Sequence, residues 1–171
     1  MYIIDFEASS LSKSSYPIEV AWGDSPETVT SYLLNPDKMS DWTDWSAKSF
    51  EFHHISRNFL SKNGEDPRRV ADHLINELAE KQVYSDEPQF DNMWKDRLLI
   101  DSGYDPALIR IKNLKYFLNK IIKVHYPGKR FFDLFQEFST KKMICHRAGA
   151  DVVWLMEFVK FVKKLNSKSA N

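Results

Sequence analysis

Tyr-Ile-Ile-Asp-Phe-Glu, residues 2–7, is the stretch of sequence that decides the fold. Its apolar residues predict a strand, whose two-residue period puts Asp5 and Glu7 on one face and Ile4 and Phe6 on the other. Two carboxylates on one face of an inner strand repel each other and resist dehydration. A divalent cation removes this conflict, because magnesium and manganese bind closely spaced oxygen ligands. The alternative is an edge strand whose solvent-facing side carries two acids.

Two further extended segments follow this strand, at residues 18–23 and 28–34, with turn-prone residues between them. They predict an antiparallel meander in which the first strand lies inside the sheet. From residue 67 onward, apolar residues recur at helical spacing, and a strand at residues 82–85 follows the first of these helices. This order predicts an α/β layered fold in which helices flank a mixed central β-sheet.

The second half of the chain is predicted to be mostly helical. Helical spacing recurs around Phe90 and after residue 111, a short aromatic helix covers residues 131–138, and the last helix covers residues 148–165. Residues 108–111 form either a brief strand or the start of a helix, and the pattern does not decide between them. We expect a single domain over residues 1–166, followed by a polar tail at residues 167–171.

Composition excludes several classes of protein. The chain has 171 residues, 43% hydrophobic and 28% charged, so it can bury a core and differs from disordered proteins. No stretch approaches the roughly 20 apolar residues that cross a bilayer, and no signal peptide is visible at the start. The one cysteine, Cys145, allows no intrachain disulfide. We therefore expect a cytoplasmic protein without a membrane span.

Two more groups of polar residues lie where ligands collect. A strand ends and a helix begins within residues 84–91, so Asp86 or Asp91 could cap that helix or face a ligand at the end of the strand. His146 and Asp151 lie at the start of the last helix. Asp151 has apolar neighbours and lies too far along the helix to be its N-cap.

Together these residues resemble the DEDDh (DnaQ-like) branch of the 3′→5′ exonucleases, in the ribonuclease H-like superfamily. The residues that carry the resemblance are Asp5, Glu7, Asp91, His146 and Asp151. They span essentially the whole chain. The sister branch has a tyrosine four residues before the final aspartate, and that position is Arg147 here. Asp86 is a rival to Asp91, but the Phe90-Asp91 pair matches the family pattern and favours Asp91.

The resemblance implies a ribonuclease H-like fold and a metal-dependent 3′→5′ exonuclease. Such an enzyme hydrolyses phosphodiester bonds at the 3′ end of single-stranded or short DNA or RNA and releases nucleoside 5′-monophosphates. Asp5, Glu7 and Asp151 would hold one Mg²⁺ or Mn²⁺ ion, and Asp5 with Asp91 a second. His146 would act as general base. Helical positions five apart diverge by roughly 140°, so we expect His146 to lie before the first full turn or on a mobile loop.

The same resemblance assigns a substrate site to residues 8–11, which are Ala8, Ser9, Ser10 and Leu11. Their backbone would receive the 3′-terminal nucleotide, and Leu11 would be either an apolar wedge against a base or an ordinary core leucine. Arg147 would touch a phosphate or pair with a surface acid. Three aromatic side chains would either stack on unpaired bases or belong to the core: Trp42, Trp45 and Phe50.

Charge bears on the substrate. With 24 basic and 24 acidic residues the net charge is zero, which favours a short or single-stranded 3′ end over duplex DNA. Residues 112–123, with exposed aromatic residues, form either a homodimer face or a solvated helix. The alternative function is a catalytically weak domain of the same fold that binds nucleic-acid ends or a protein partner. An adaptor of that kind has no need of clustered acids, which favours the enzyme.

Overall fold

The computed structural model describes residues 1–140 and 146–168, with side chains up to residue 164. Three of the five strands lie before residue 34, and helices make up most of the described chain after it. The strands are β1 (Tyr2–Ala8), β2 (Pro17–Gly23), β3 (Thr30–Leu33), β4 (Val83–Ser85) and β5 (Ile111–Asn113). The helices are α1 (Ala47–His53), α2 (Arg57–Asn63), α3 (Pro67–Leu78), α4 (Pro88–Asp101), α5 (Leu114–His125), α6 (Phe131–Ser139) and α7 (Ala148–Lys168).

The strands form one mixed sheet in the order β3-β2-β1-β4-β5. β1 pairs antiparallel with β2 and parallel with β4, and β4 pairs parallel with β5. The predicted mixed sheet and the interior position of the first strand are therefore confirmed. Because β1 has a neighbour on each side, the alternative of an edge strand is wrong.

Each face of the sheet carries its own apolar core. Ile4 and Phe6 on β1 face a cluster that includes Leu74 of α3 and Leu98 of α4. Ile3 belongs to the opposite cluster, which the helices α5, α6 and α7 complete. Asp5 and Glu7 follow Ile3 at the strand period, so they lie on the face that α7 covers. The alternation predicted for β1 thus decides which helices surround the two acids.

The segment that the sequence left undecided contains a brief strand followed at once by a helix. A 3-10 turn, Pro106–Leu108, precedes β5, and α5 begins directly after it. The Asn113 side chain accepts a hydrogen bond from the Tyr116 amide at 2.7 Å, which caps the new helix. Strand and helix follow each other without a loop because the last residue of β5 is also the helix cap.

Two expected features differ at the ends of elements. The third strand begins at Thr30, because Pro26–Thr28 forms a 3-10 turn that Pro26 starts with its fixed φ. α7 continues to Lys168, past the predicted start of the polar tail, and residues 169–171 and Cys145 lie outside the described residues. No helix in the described part of the chain is long and apolar enough to cross a membrane.

Candidate active site

The two acids of β1 lie half-buried on the face covered by α7. Pairing with β2 shifts register between Glu7 and Ala8, which marks a β-bulge at the end of the strand. A bulge turns the local direction of side chains, and bulges are common beside active sites. Glu7 is therefore the last residue of β1 before the register with β2 shifts.

A second group of acids meets Asp5 from the side of β4. Because β1 and β4 run parallel with Ile3 opposite Tyr84, the same register brings Asp5 level with Asp86. α4 then places Asp91 over the same point. Oxygen atoms of Asp5, Asp86 and Asp91 all lie within 4.8 Å of one another. The rival positions Asp86 and Asp91 thus both reach Asp5, and neither takes the other's place.

The start of α7 supplies a third contribution. Ligand atoms of Glu7, His146 and Asp151 also lie within 4.8 Å of one another. His146 lies two residues before the helix, as the spacing to Asp151 predicts, and its φ is +48°. A residue other than glycine is uncommon at such an angle, and strained backbone of this kind concentrates at functional sites. The His146 side chain is exposed, and its ring lies edge-on to Phe52 at 5.6 Å.

The gathered carboxyls resist ionisation. Burial, and then the nearby charges of Asp91 and Glu7, raise the pKa of Asp5 well above its usual value. Burial also raises the pKa of Asp91, and it raises the pKa of Glu7 to about 8, with Asp151 and Glu19 adding to the shift. Each shift means that the folded chain disfavours the charged form.

This donor set fits divalent cations. Asp91 Oδ2 is buried and has no hydrogen-bond partner among the described residues. A buried carboxylate oxygen without a donor is costly, and a bound cation removes that cost. Oxygen ligands with one imidazole suit Mg²⁺ or Mn²⁺. Asp5, Asp86 and Asp91 could hold one ion, and Glu7, Asp151 and His146 could surround another.

An ion pair between the buried Glu19 and the half-exposed Arg147 fixes the start of α7 against the sheet. Glu19 lies opposite Glu7 in the β1–β2 ladder and is buried. Arg147 binds its carboxylate through two nitrogens, at 2.8 and 3.0 Å, and the Ala148 amide donates to the same carboxylate at 3.1 Å. Of the two partners predicted for Arg147, the structure contains the acid, but that acid is buried rather than on the surface.

Two adjoining hollows surround these residues. The acidic cleft, about 300 Å³, contains both groups of potential ligands and is flanked by Phe90, Trp94 and Trp154. The apolar cavity, about 350 Å³, is lined by Leu11, Phe52 and His53. Glu7, Trp94 and His146 line both, so a molecule in the cavity would reach the acids directly.

The predicted substrate segment divides between cavity and core. Ala8, Ser10 and Leu11 line the apolar cavity, and Leu11 is 69% exposed, so the reading of Leu11 as a core residue is wrong. Ser9 is buried and does not line the cavity, and its assignment to the substrate stays a prediction. Its hydroxyl accepts the Tyr16 amide at 3.2 Å and its carbonyl accepts the Ser46 amide at 2.9 Å. Those bonds position the segment.

The aromatic candidates also divide. Trp42 is fully buried, stacks on Tyr16 at 4.9 Å and donates to Asp101, so it belongs to the core. Trp45 packs partly buried against the same core, and Phe50 is exposed beside it without lining either hollow. Phe52, which the sequence analysis did not single out, is 52% exposed and lines the cavity.

His53 contributes a polar atom to the apolar cavity. Its Nδ1 accepts the Ile55 amide at 3.0 Å, whereas its buried Nε2 has no partner among the described residues. Burial lowers the pKa of His53 to about 4, so the ring is neutral near pH 7 and carries its proton on Nε2. The cavity therefore offers one unsatisfied N–H donor.

Sequence reasoning had an available signal for only some of these residues. Glu19 is a lone charge in the otherwise apolar strand β2, and that contrast marks it. Phe52 carried no such signal, because a phenylalanine on a short helix is ordinarily read as core.

Solved structures resemble this chain over nearly its whole length. Exonuclease I of E. coli in complex with a dA16 oligonucleotide matches with a TM-score of 0.73 and 15% identity, over 98% of this chain and 41% of that one. The zinc-bound form of the E. coli exonuclease I–ssDNA complex gives a TM-score of 0.74, 15% identity and the same coverages, 98% and 41%. A moderately thermophilic exonuclease I from Methylocaldum szegediense gives 0.73 at 13% identity, again over 98% and 41%.

The chain has the ribonuclease H-like nuclease fold of exonuclease I. It spans about two fifths of the length of those proteins. No family model and no curated protein matches the chain. In this chain the clustered acids come from β1, the end of β4, α4 and the start of α7.

The first prediction concerns metal binding. Replacing Asp91 with asparagine removes one like charge from the buried group, so the variant should melt at a higher temperature than the parent in chelator. The increase should be about 2–4 °C for each kcal/mol of repulsion relieved. Mn²⁺ should raise the melting temperature of the parent and raise that of Asp91→Asn by less, because Glu7 and Asp151 could still hold an ion in the variant. Differential scanning calorimetry with and without Mn²⁺ measures both.

Asp41→Asn is the matched control, because Asp41 is exposed and lies outside the acidic cleft. It should melt like the parent under both conditions. An unchanged Mn²⁺ shift in Asp91→Asn would show that this oxygen is not a ligand.

The second prediction concerns the Glu19–Arg147 pair. Arg147→Met leaves the Glu19 carboxylate buried with only the Ala148 amide, which should lower the free energy of unfolding by about 1–3 kcal/mol. Arg69→Met breaks the exposed pair with Glu65 and should cost no more than about 1 kcal/mol. Urea unfolding compares the two. Equal losses would mean that the pair contributes no more than a surface contact.

Proposed function

We propose that this chain is a metal-dependent 3′→5′ exonuclease of the DEDDh type that releases nucleoside 5′-monophosphates from single-stranded nucleic acid. The observation that carries the proposal is the meeting of Asp5, Glu7, Asp91, Asp151 and His146 in one cleft. The likeness to exonuclease I supports it through the fold, and E. coli exonuclease I is known in complex with dA16 and dT13 oligonucleotides.

Divalent ions held by the carboxylates would neutralise the developing charge and lower the pKa of water, so that hydroxide attacks near neutral pH. The chain's own acids position those ions. Asp5 serves from the rigid centre of the sheet, Asp91 from the first turn of α4 and Asp151 from the first turn of α7. With Glu7 also in the cleft, Asp86 adds a fifth carboxylate, which lies beside Asp5.

His146 accepts the proton of the attacking water. As the water oxygen bonds to phosphorus, the bond from phosphorus to the 3′ oxygen of the preceding nucleotide breaks. The terminal nucleotide leaves with its phosphate, and the departing 3′ oxygen takes a proton from solvent, so the shortened strand ends in a 3′ hydroxyl. An exposed imidazole beside Glu7 and Asp151 is within reach of a water in the cleft, and histidine is the side chain that most often serves as a general base.

The apolar cavity receives the base and sugar of the 3′-terminal nucleotide. Leu11 and Phe52 provide apolar contacts, and His53 Nε2–H donates one hydrogen bond. These contacts read no sequence, because every base has an apolar face. A duplex end would have to unpair before a single base could enter, so the cavity favours single strands.

The third prediction tests the activity and its direction. The protein should shorten a 5′-fluorescent dT20 strand stepwise in Mn²⁺, and Asp5→Asn should abolish the ladder. His146→Ala should slow cleavage by about 10²–10⁴-fold and keep most of the Mn²⁺ shift in melting temperature, because the carboxylates that could hold the ions all remain.

Asp41→Asn should cleave like the parent. Equal cleavage by the parent and Asp5→Asn would reject the proposal, as would loss of the 5′ label in the first step. Binding of the strand by both proteins without any cleavage would leave an adaptor in place of the enzyme.

The fourth prediction concerns the cavity. Phe52→Ala should raise KM for dT20 about fivefold or more, with a smaller effect on kcat, because the lost contact is to the bound base. Phe59→Ala is the control, since Phe59 is exposed on α2 and does not line the cavity. Steady-state kinetics on the two variants decide, and equal KM values would remove Phe52 from the site.

A further inference from the structure

A third hollow, of about 530 Å³, lies between α5 and the start of α6. We call it the basic groove and define it by the residues that the argument uses: Lys115, Tyr116, Lys120, Lys123, Arg130 and Phe132. In the described part of the chain no carboxylate lines it. A protein of zero net charge thus concentrates cations at one place.

Two aromatic rings lie open in this groove. Tyr116 is 66% exposed and Phe132 is 61% exposed, which is unusual for large apolar side chains on a folded domain. The Lys115 ammonium lies 4.4 Å from the ring centre of Phe132, and the Lys120 ammonium lies 4.7 Å from that of Tyr116. Rings and cations therefore alternate along the groove.

The lysines of the groove are free to bind an anion. Among the described residues, no carboxylate forms an ion pair with Lys115, Lys120 or Lys123, whereas Arg130 pairs with Asp133 at 3.5 Å. Contact with a ring face leaves the three N–H donors of an ammonium unused. A phosphate could take those donors without displacing an acid.

The groove begins near the acidic cleft. Asn113, the last residue of β5, pairs with Ser85, and Asp86 follows Ser85 directly. The first turn of α5, with Lys115 and Tyr116, therefore starts at the sheet edge where Asp86 enters the cleft. A strand held at its 3′ end could continue along this edge.

From this arrangement we infer that the basic groove binds a single-stranded segment upstream of the 3′ end, an inference that rests on the proposed function. Bases stack on Tyr116 and Phe132, and phosphates bind the lysines. Stacking platforms beside cations are what single-strand binding requires. Two copies of the chain facing each other here would bring like charges together. Of the two alternatives for residues 112–123, this argues against the homodimer face. Long strands should consequently bind more tightly than short ones.

The fifth prediction tests the groove by fluorescence anisotropy in chelator, with dT20 and rU20 as probes. Lys115→Ala/Lys120→Ala/Lys123→Ala should weaken binding at least tenfold and reduce the slope of log affinity against log salt by about 2, since each phosphate contact contributes about 0.7. Tyr116→Ala should weaken binding about fivefold or more. A loss with both probes assigns the groove to either nucleic acid, and a loss with one identifies the sugar it accepts.

Lys38→Ala/Lys62→Ala/Lys81→Ala removes the same charge from exposed positions outside the groove and should bind like the parent. Cleavage of a dinucleotide, too short to reach the groove, should be unchanged in every groove variant. Binding of both probes by the groove triple variant as tightly as by the parent overturns the inference, even if the parent cleaves dT20. Weakened binding in a protein that cleaves nothing supports the groove and rejects only the exonuclease.

Discussion

Repulsion among buried carboxylates is the constraint on which the rest of the site depends. Asp5 lies at the centre of the sheet, so its charge cannot be moved to solvent without taking β1 out of the fold. The parallel neighbour β4 adds Asp86 at the same level, and α7 adds Asp151 from above. Fold topology therefore increases the charge density at one point, at the expense of stability in the metal-free chain.

The protein relieves that repulsion only in part. Arg147 pairs with Glu19 and lowers the pKa of Glu7 from a distance, against the larger effect of burial. Among the described residues, no lysine or arginine lines the acidic cleft itself. A cation from the chain placed there would neutralise the acids permanently and occupy the ligand positions. The remaining charge is left for divalent ions, which bind where the chain supplies oxygens and no competing ammonium.

Local pattern predicted the strands, the mixed sheet and the face of β1 that carries the acids, because the two-residue period is a short-range property. Local pattern could not show that Asp86 and Asp91 both reach Asp5. Their positions depend on the register of β1 against β4 and on the path of α4, both of which join residues about 80 positions apart. For the same reason, the sequence did not predict that Phe52 lines the cavity or that the Ser9 side chain is buried. Only tertiary packing decides which of two neighbouring side chains meets the cavity.

Charge also explains why the surfaces around the cleft differ in chemistry. A cluster of acids repels the phosphates of a nucleic acid until cations bind, so nearby contacts must be neutral. The apolar cavity meets most of that requirement with Leu11, Phe52 and a histidine whose pKa is lowered to about 4, while Lys48 at its lining supplies one cation. In the proposed function, attraction for phosphates comes instead from farther along the sheet edge, on α5, where lysines would not compete with metal for the acids. Separating attraction from catalysis in this way would let a chain of zero net charge hold an anionic strand beside an anionic site.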